Sequence, residues 1–303
     1  MIGVSEKSTG GNTRAYLLLT LTAVCWAWNA IFGQLAVGEI SPMALVALRW
    51  LAVLTLLLAF ALPQVRRDWP LLRAHLPFLY AMGALGFTGF NALFYIAAHF
   101  TTGLNVGIIQ GAIPVFVLIG AFAAYRTRIT AVQLLGVALT VVGVIYIGAG
   151  GSFQRLASLA LNFGDIIMVS ACALYAGYTV GLRRRPPTSA LAFFTIMAAA
   201  ALSTAIPLVA IEVAVGQFQA PTPKGWLIVA LVALFPSFIA QLMFIKGVEL
   251  IGPGRAGVFV NLVPAFAAIL AVTVLGEPFQ PFHAVALALV LGGIWLSERG
   301  KPA

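Results

Sequence analysis

Residues 244–295 read FIKGVELIGPGRAGVFVNLVPAFAAILAVTVLGEPFQPFHAVALALVLGGIW, and the same pattern occurs 150 positions earlier in the chain. Two apolar runs that share glycine and proline in one register indicate an internal repeat. The chain is therefore predicted to hold two copies of one module of about 150 residues. The pairs that coincide without a gap are Phe94 and Phe244, Gly107 and Gly257, Pro114 and Pro264, Phe116 and Phe266, Ile119 and Ile269, and Gly143 and Gly293.

The composition of the chain indicates a membrane protein. Hydrophobic residues make up 62% of it and charged residues only 8%. Apolar runs of about 20 residues, the length that an α-helix needs to cross a bilayer, follow one another with short breaks. A soluble core does not need so much apolar surface. We predict an all-α integral membrane protein whose surface partner is the lipid bilayer, and not nucleic acid in spite of a net charge of +9.

Hydropathy predicts ten transmembrane helices, five in each copy. The first apolar run is long enough to span and has no small-residue cleavage site behind it, so it is interpreted as a retained helix. The predicted helices cover residues 15–36, 43–62, 77–98, 104–124, 131–149, 164–182, 189–211, 225–245, 255–275 and 282–297. The predicted domains are a tail at 1–14, a first repeat at 15–149, a linker at 150–163, a second repeat at 164–297 and a tail at 298–303.

The basic residues outside the helices are distributed unequally between the two sides of the predicted membrane. Two of them, Arg155 and Lys224, fall on one side and fourteen on the other. The positive-inside rule therefore predicts cytoplasmic tails at both termini and an external linker. The fourteen are Lys7, Arg14, Arg66, Arg67, Arg73, Arg126, Arg128, Arg183, Arg184, Arg185, Lys246, Arg255, Arg299 and Lys301.

The odd number of helices in each copy makes the second copy insert upside down relative to the first. Inverted repeats of this kind place a site at the interface of the two halves, where it can open to either side of the membrane. The architecture favours a transporter that works by alternating access, with an inert scaffold as the alternative. The two cysteines, Cys25 and Cys172, lie inside apolar runs and are predicted to be small core residues without a disulfide.

Several motifs carry a resemblance to a known family. They are TAVCWAWNAIFGQLA in the first helix, SPMALVALRW at the second, GAIPVF and NLVPAF in the fourth and ninth, and LGEPFQPFHAVALALVLGG at the end. Over nearly its whole length the chain resembles the EamA branch of the drug/metabolite transporter superfamily. Two positions depart from the family pattern. The glutamate usual after the fourth helix is Thr127, although Glu277 matches the one after the ninth, and the glycine usual in the tenth helix is Ala286, although the first copy keeps Gly136.

The resemblance implies a ten-helix fold of two inverted repeats in the inner (plasma) membrane of a bacterium. It also implies export of small metabolites, with aromatic and other neutral amino acids first among them and efflux of drugs or toxic compounds as the alternative. The substrate is thus expected to be a small molecule. The oligomeric state is left open, and a monomer suffices for this fold.

Polar and aromatic residues inside the helices are the candidates for a substrate cavity, because a mid-membrane amide that faces lipid is costly. The alternative role for each of them is hydrogen bonding between helices. Trp26 and Asn29 of the first helix align, 149 positions later, with Tyr175 and Tyr178 of the sixth. In the third helix, steps of seven, four and four predict one shared face for Tyr80, Phe87, Asn91 and Tyr95. The remaining candidates are Gln110, Ser237, Gln241 and Asn261.

Two prolines and one arginine are further candidates. Pro114 and Pro264 lie in mid-helix at equivalent positions, where each removes a backbone hydrogen bond, and they are predicted to form kinks that gate opposite sides. Arg49 is the basic residue well inside a helix. It is either a partner for a substrate carboxylate or a structural residue that extends to the membrane surface or caps a neighbouring helix end.

The positions of the acidic residues bear on energy coupling and on other classes of function. Asp165, Glu212, Glu249 and Glu277 all lie near helix ends, so transport without strong ion coupling is predicted. An integral-membrane enzyme is disfavoured because the histidines are scattered and no metal-binding or catalytic cluster is visible. A channel is disfavoured because no ring of charge is visible. No cofactor and no metal are predicted.

Overall fold

The computed structural model describes residues 8–152, 154 and 161–299. Within them ten helices are long and apolar enough to cross a membrane, and we number these spans one to ten. The prediction of ten helices in two five-helix repeats is confirmed. The spans are Asn12–Ala36, Pro42–Ala74, Leu76–Ala98, Gly103–Tyr125, Ala131–Gly148, Phe163–Arg184, Ala190–Ala214, Pro223–Ile251, Arg255–Val274 and Pro281–Arg299.

The packing of the spans repeats between the two halves. The second span packs on the seventh and the fifth on the tenth, so each of these four meets its own copy. The first span packs on the eighth and ninth, and the sixth packs on the third and fourth. These contacts exchange when each span is replaced by its copy. The two halves are therefore related by an approximate two-fold axis, as expected for inverted repeats.

Some helices are longer than hydropathy predicts. The first begins at Ser8, so residues 8–13 of the predicted N-terminal tail are helical. The second continues to Ala74 through Pro63 and Pro70. Charged and polar residues end an apolar run without ending a helix, because adding residues to a formed helix costs little. Part of the predicted linker and the ends of both predicted tails, at residues 1–7, 153, 155–160 and 300–303, lie outside the described residues.

The two faces of the bundle differ in charge. One, the arginine-rich face, carries Arg66, Arg67, Arg73, Arg126, Arg128, Arg183, Arg184, Arg185, Arg255 and Arg299 near its helix ends. The other, the opposite face, carries Glu39, Asp165, Glu212 and Glu277. Large apolar side chains are exposed around the bundle between the two faces, as lipid contact requires, and they include Leu17, Phe60, Leu134, Ile206 and Trp226.

Carboxylates tie the second and seventh spans together at both faces. At the opposite face Glu212 accepts hydrogen bonds from the Ser41 hydroxyl (2.6 Å) and the Met43 amide (3.1 Å), at the start of the second span. At the arginine-rich face Asp68 accepts the amide of Ser189 (2.7 Å), just before the seventh. Each span therefore caps the first amides of the other, which have no partner within their own helix.

Glycines allow the fifth and tenth spans to approach closely. A Cβ atom on Gly136 would lie 2.5 Å from the carbonyl oxygen of Gly293, and one on Gly293 would lie 2.3 Å from the Thr140 hydroxyl. Both distances are shorter than carbon–oxygen contact permits, so any side chain here would push the spans apart. Cys25 and Cys172, the two cysteines of the chain, are free as predicted.

Four spans depart from a regular α-helix in repeat-related pairs. The third and eighth each contain a π-helical turn, at Ala84–Gly89 and Ala233–Ile239. The fourth consists of Gly103–Ile109, a 3₁₀ turn and Ile113–Tyr125, and the ninth of Pro253–Val260 and Val263–Val274. Pro114 and Pro264 stand in the first turn of the second segments, where the missing N–H costs nothing. Their gating role remains a prediction.

Candidate functional site

A cavity of about 860 Å³ enters the bundle from the arginine-rich face and reaches the broken fourth and ninth spans. A narrower inner chamber of about 100 Å³ continues it to the middle of the bundle. We call the wider part the outer chamber. The two share lining residues from both halves, among them Trp26, Phe87 and Asn261.

Most of the residues predicted to line a cavity meet in the inner chamber. Tyr178 lines the outer chamber instead. Tyr95 lies behind the chamber wall, 2% exposed, and bonds to residues that line it. The inner chamber brings together Trp26, Asn29, Phe87, Asn91, Gln110, Tyr175, Ser237, Gln241 and Asn261, with Arg49, Pro114 and Pro264.

Tyr80 corrects the prediction of one shared face in the third span. It lies outside the lining of both chambers and is 49% exposed. The π-helical turn Ala84–Gly89 stands between Tyr80 and Phe87. Such a turn inserts a residue into the helical repeat and rotates the next segment against the last one. Tyr80 therefore does not share the face of Phe87 and Asn91.

Arg49 is the centre of a buried hydrogen-bond network. The residue is 6% exposed, and its Nε donates to Ser237 Oγ at 2.7 Å. Its Nη1 donates to Asn29 Oδ1 at 3.0 Å, Asn91 Oδ1 at 2.7 Å and the Tyr95 hydroxyl at 2.7 Å. The network joins the first, second, third and eighth spans. Arg49 thus lies inside the protein and does not extend to the membrane surface.

The partners of Arg49 are all neutral. Within the described part of the chain, ion pairs join Arg67 to Asp68, Lys224 to Glu39 and Lys246 to Glu249, and no carboxylate lies within ion-pair distance of Arg49. A buried cation is costly unless it is paired, and amide and hydroxyl dipoles compensate it only in part. The inner chamber therefore carries positive charge that favours an anionic group.

Other side chains hold the network in place. Asn91 donates from Nδ2 to the Phe87 carbonyl at 2.6 Å, which turns its Oδ1 toward Arg49. Ser237 donates to the Val232 carbonyl at 2.6 Å, inside the π-helical region of the eighth span. With their protons committed elsewhere, both residues present an oxygen to the guanidinium.

An aromatic wall runs beside Arg49 toward the outer chamber. The rings of Trp50 and Phe87 stack at 4.6 Å between centroids with an angle of 3°. Phe87 in turn contacts Tyr178 at 5.3 Å and Phe194 at 6.1 Å. Aromatic surface of this kind binds flat or apolar groups. The inner chamber therefore combines one cation, Arg49, with a largely apolar wall among the described residues.

The sequence-based prediction missed Trp50, Phe90 and Phe194, which also line the inner chamber. Trp50 adjoins Arg49 in the chain, and this neighbour relation was the available signal. Phe194 lies in a seventh span with little polar character, where aromatic residues in the interior and at the lipid surface look alike in the sequence.

The opposite face is closed over the start of the fourth span. Glu277 accepts the backbone amides of Gly103 and Leu104, each at 2.8 Å. Asp165 accepts the Thr101 hydroxyl at 2.5 Å and the Asn105 amide at 3.1 Å. The fourth span is thereby fixed to the second half at this face, while the cavity opens at the arginine-rich face.

Arg185 adds a positive charge at the mouth of the cavity. Arg185 lines the outer chamber and stacks over Phe193 at 4.8 Å, and burial lowers the pKa of its guanidinium. It remains a cation at neutral pH because arginine titrates far above it.

Among the residues that the structure describes, no group of three His, Cys, Asp or Glu side chains is placed to hold a metal ion.

The helices, the repeat and the cavity together define a multi-pass membrane transporter built of two similar halves. The chain belongs to the EamA-like transporter family, whose model matches residues 13–149 and 162–299. This confirms the resemblance that the motifs of the two halves suggested.

Bacterial relatives align with this chain over most of their length. The uncharacterized transporter YetK of Bacillus subtilis (strain 168) is 28% identical, over 99% of this chain and 90% of YetK. The uncharacterized inner membrane transporter YedA of Escherichia coli (strain K12) is 25% identical, over 93% of this chain and 90% of YedA. A solved crystal structure superposes with a TM-score of 0.63 at 19% identity, covering 94% of this chain and 96% of that chain, and it supports the fold.

Proposed function

We propose that this transporter exports small carboxylate-bearing metabolites with an apolar or aromatic side chain, aromatic and other neutral amino acids first among them. It does so by alternating access between the two halves. The observation that carries the proposal is Arg49, a buried cation whose partners among the described residues are neutral, next to the stacked rings of Trp50 and Phe87.

The chemistry of the cavity supports this class of solute. A carboxylate paired with Arg49 would neutralise the buried charge, and the apolar part of the solute would lie on the aromatic wall. A polyanion would ask for more cations than the inner chamber offers. Its lining includes one basic residue, Arg49, and no acidic one among the described residues.

The side to which the cavity opens is inferred from the charge of the two faces. The positive-inside rule makes the arginine-rich face cytoplasmic, with both termini on that side. The cavity then opens to the cytoplasm, where a substrate for export is collected. A bacterial inner membrane is the proposed location, and the printed name of YedA, an inner membrane transporter, supports it.

Coupling to protons or sodium is proposed to be weak. Ion-coupled carriers place carboxylates at the membrane centre, whereas those described here lie near the ends of spans. Asp165, Glu212 and Glu277 also have roles there, since each accepts hydrogen bonds from a neighbouring helix start or loop. The concentration gradient of the substrate across the membrane then drives transport.

Efflux of lipophilic drugs is the second candidate, and the aromatic wall from Phe87 to Tyr178 supports it. A cationic drug would be repelled by Arg49, so this candidate favours neutral or anionic compounds. The two candidates differ in whether binding depends on a carboxylate.

The experiment is counterflow in proteoliposomes that contain the purified protein. Uptake of labelled phenylalanine or tryptophan is measured without an ion gradient, with and without unlabelled amino acid inside. Saturable uptake that is accelerated from inside, and lost in Asn91→Ala, supports an amino-acid carrier. Absence of amino-acid uptake together with transport of a lipophilic dye contradicts it and favours drug efflux.

A further inference from the structure

We infer that Trp50 and Gln110 complete, together with Arg49, a three-donor carboxylate site that has no anionic partner for an ammonium group. The site then holds the anionic analogue of an amino acid, which lacks the amine, more tightly than the amino acid itself. This inference rests on the proposed function and narrows its substrate class.

The first observation is a pair of unsatisfied donors. Trp50 is 3% exposed and lines the inner chamber, yet its indole Nε1 has no acceptor among the described residues. Gln110 lines the same chamber at the break of the fourth span, and its buried Nε2 also has no acceptor there. A buried donor without a partner destabilises the protein, because it has lost its hydrogen bonds to water. Two of them in one chamber indicate a ligand with acceptor atoms.

The second observation is that one nitrogen of the Arg49 guanidinium, Nη2, has no hydrogen-bond partner among the described residues. The hydrogen bonds of the guanidinium to the protein leave from Nε and Nη1. Its carbon Cζ lies 5.4 Å from the centre of the Trp50 ring, so the two residues are neighbours. A carboxylate has two oxygens, and each accepts more than one hydrogen bond. One carboxylate therefore has enough acceptor sites for a donor from each of the three residues.

The third observation is that the nearby acceptors are occupied. Asn29 Oδ1 accepts from Arg49 and from Tyr95, and Asn91 Oδ1 accepts from Arg49. Among the described lining residues of the inner chamber there is no Asp or Glu. An ammonium group in this chamber would meet one cation and no carboxylate, and its acceptors would be neutral amide oxygens such as those of Gln241 and Asn261. A paired carboxylate leaves the loaded site neutral, whereas a zwitterion adds a second positive charge beside Arg49.

Binding of three solutes that share a phenyl ring tests the inference. They are 3-phenylpropionate, phenylalanine, which adds an ammonium group, and phenethylamine, which lacks the carboxylate. The readout is the rise of the unfolding temperature of the purified protein with solute concentration, because weak acids cross lipid bilayers unaided and obscure uptake. We expect 3-phenylpropionate to bind about tenfold more tightly than phenylalanine, because the ammonium is repelled by Arg49. Phenethylamine should give no shift.

Two variants test the donors separately. Trp50→Phe keeps a ring for Phe87 to stack on and removes the N–H, and Gln110→Met keeps the length of the side chain and removes the amide. Each should weaken 3-phenylpropionate by about tenfold, the loss of one hydrogen bond to a charged group. The matched control is Trp28→Phe, since Trp28 stacks on Phe32 outside the cavity lining and its loss should change nothing.

The outcomes separate this inference from the proposed function. Phenylalanine binding as tightly as 3-phenylpropionate or more tightly, or donor variants that bind 3-phenylpropionate like the unaltered protein, would overturn the inference and leave the amino-acid carrier in place. If neither carboxylate binds while a lipophilic dye does, the proposed function fails and the inference fails with it.

Discussion

Glu277 caps the helix that begins at Gly103, with its Oε1 2.8 Å from the Gly103 amide nitrogen and its Oε2 at the same distance from that of Leu104. The two residues belong to different halves of the transporter. The equivalent of Glu277 in the first half is Thr127, whose buried Oγ1 has no partner among the described residues. The opposite face therefore has a carboxylate clamp that the arginine-rich face lacks. We expect this asymmetry to favour the conformation in which the cavity opens at the arginine-rich face.

Removal of the clamp should change the conformational equilibrium. In Glu277→Ala the start of the fourth span loses its cap, worth about 1 kcal/mol or about fivefold in population. Reagents should then reach the opposite face more often. The measurement is the labelling rate of Val106→Cys, a buried position beside the clamp, in a background without Cys25 and Cys172. Gln280→Ala, an exposed change in the same loop, is the control and should leave the rate unaltered.

A second clamp can be added by Thr127→Glu. A glutamate there can accept free backbone amides in the first turn of the helix Pro253–Val260 when the arginine-rich face closes. We expect Val117→Cys, in the outer chamber, to be labelled more slowly by a membrane-impermeant maleimide. Thr127→Gln has the same length without the charge and should have a smaller effect. Labelling equal to that of the parent protein would show that the asymmetry of the clamps does not set the resting state.

The glycine contact between the fifth and tenth spans predicts a difference between neighbouring residues. Gly293→Ala places a methyl group against Thr140 and the Gly136 backbone, whereas a Cβ on Gly292 meets nothing within 4 Å. Gly293→Ala should destabilise the protein by about 1–3 kcal/mol, the cost of overpacking. Thermal unfolding in detergent measures this, with Gly292→Ala as the control. Equal unfolding temperatures for the two variants would contradict the close packing.

Transport should depend little on pH near neutrality. His99, at the end of the third span, has its pKa lowered by burial, against a smaller opposing effect of Glu212. Its ring is therefore neutral above the usual histidine pKa, and its charge does not change as the pH rises further. Uptake at equal internal and external pH should vary by less than about twofold between pH 6.5 and 8. A steep change, or acceleration by an imposed pH gradient, would contradict weak coupling.

The sequence determined the fold to a large extent, because hydropathy reports directly on the length of an apolar helix. It could not reveal where helices extend past the apolar run, as the second does to Ala74. Most cavity residues were also predicted, since a polar side chain in mid-membrane must face protein or water. The predicted placement of Tyr80 on the cavity face was wrong, because the π-helical turn at Ala84–Gly89 has no distinctive sequence signal. The network around Arg49 depends on four spans, and no spacing within one helix predicts it.

We propose above all that the guanidinium of Arg49 binds the carboxylate of the transported solute. The most direct measurement is binding of 3-phenylpropionate and phenylalanine to Arg49→Gln, compared with Tyr95→Phe, which alters the network behind the chamber wall. Both variants are first checked for a folded state by thermal unfolding. We expect Arg49→Gln to lose about 30- to 100-fold in affinity, because a hydrogen bond between two charged groups is removed. The loss for Tyr95→Phe should be smaller. A folded Arg49→Gln protein that binds both solutes as the parent does would contradict this proposal.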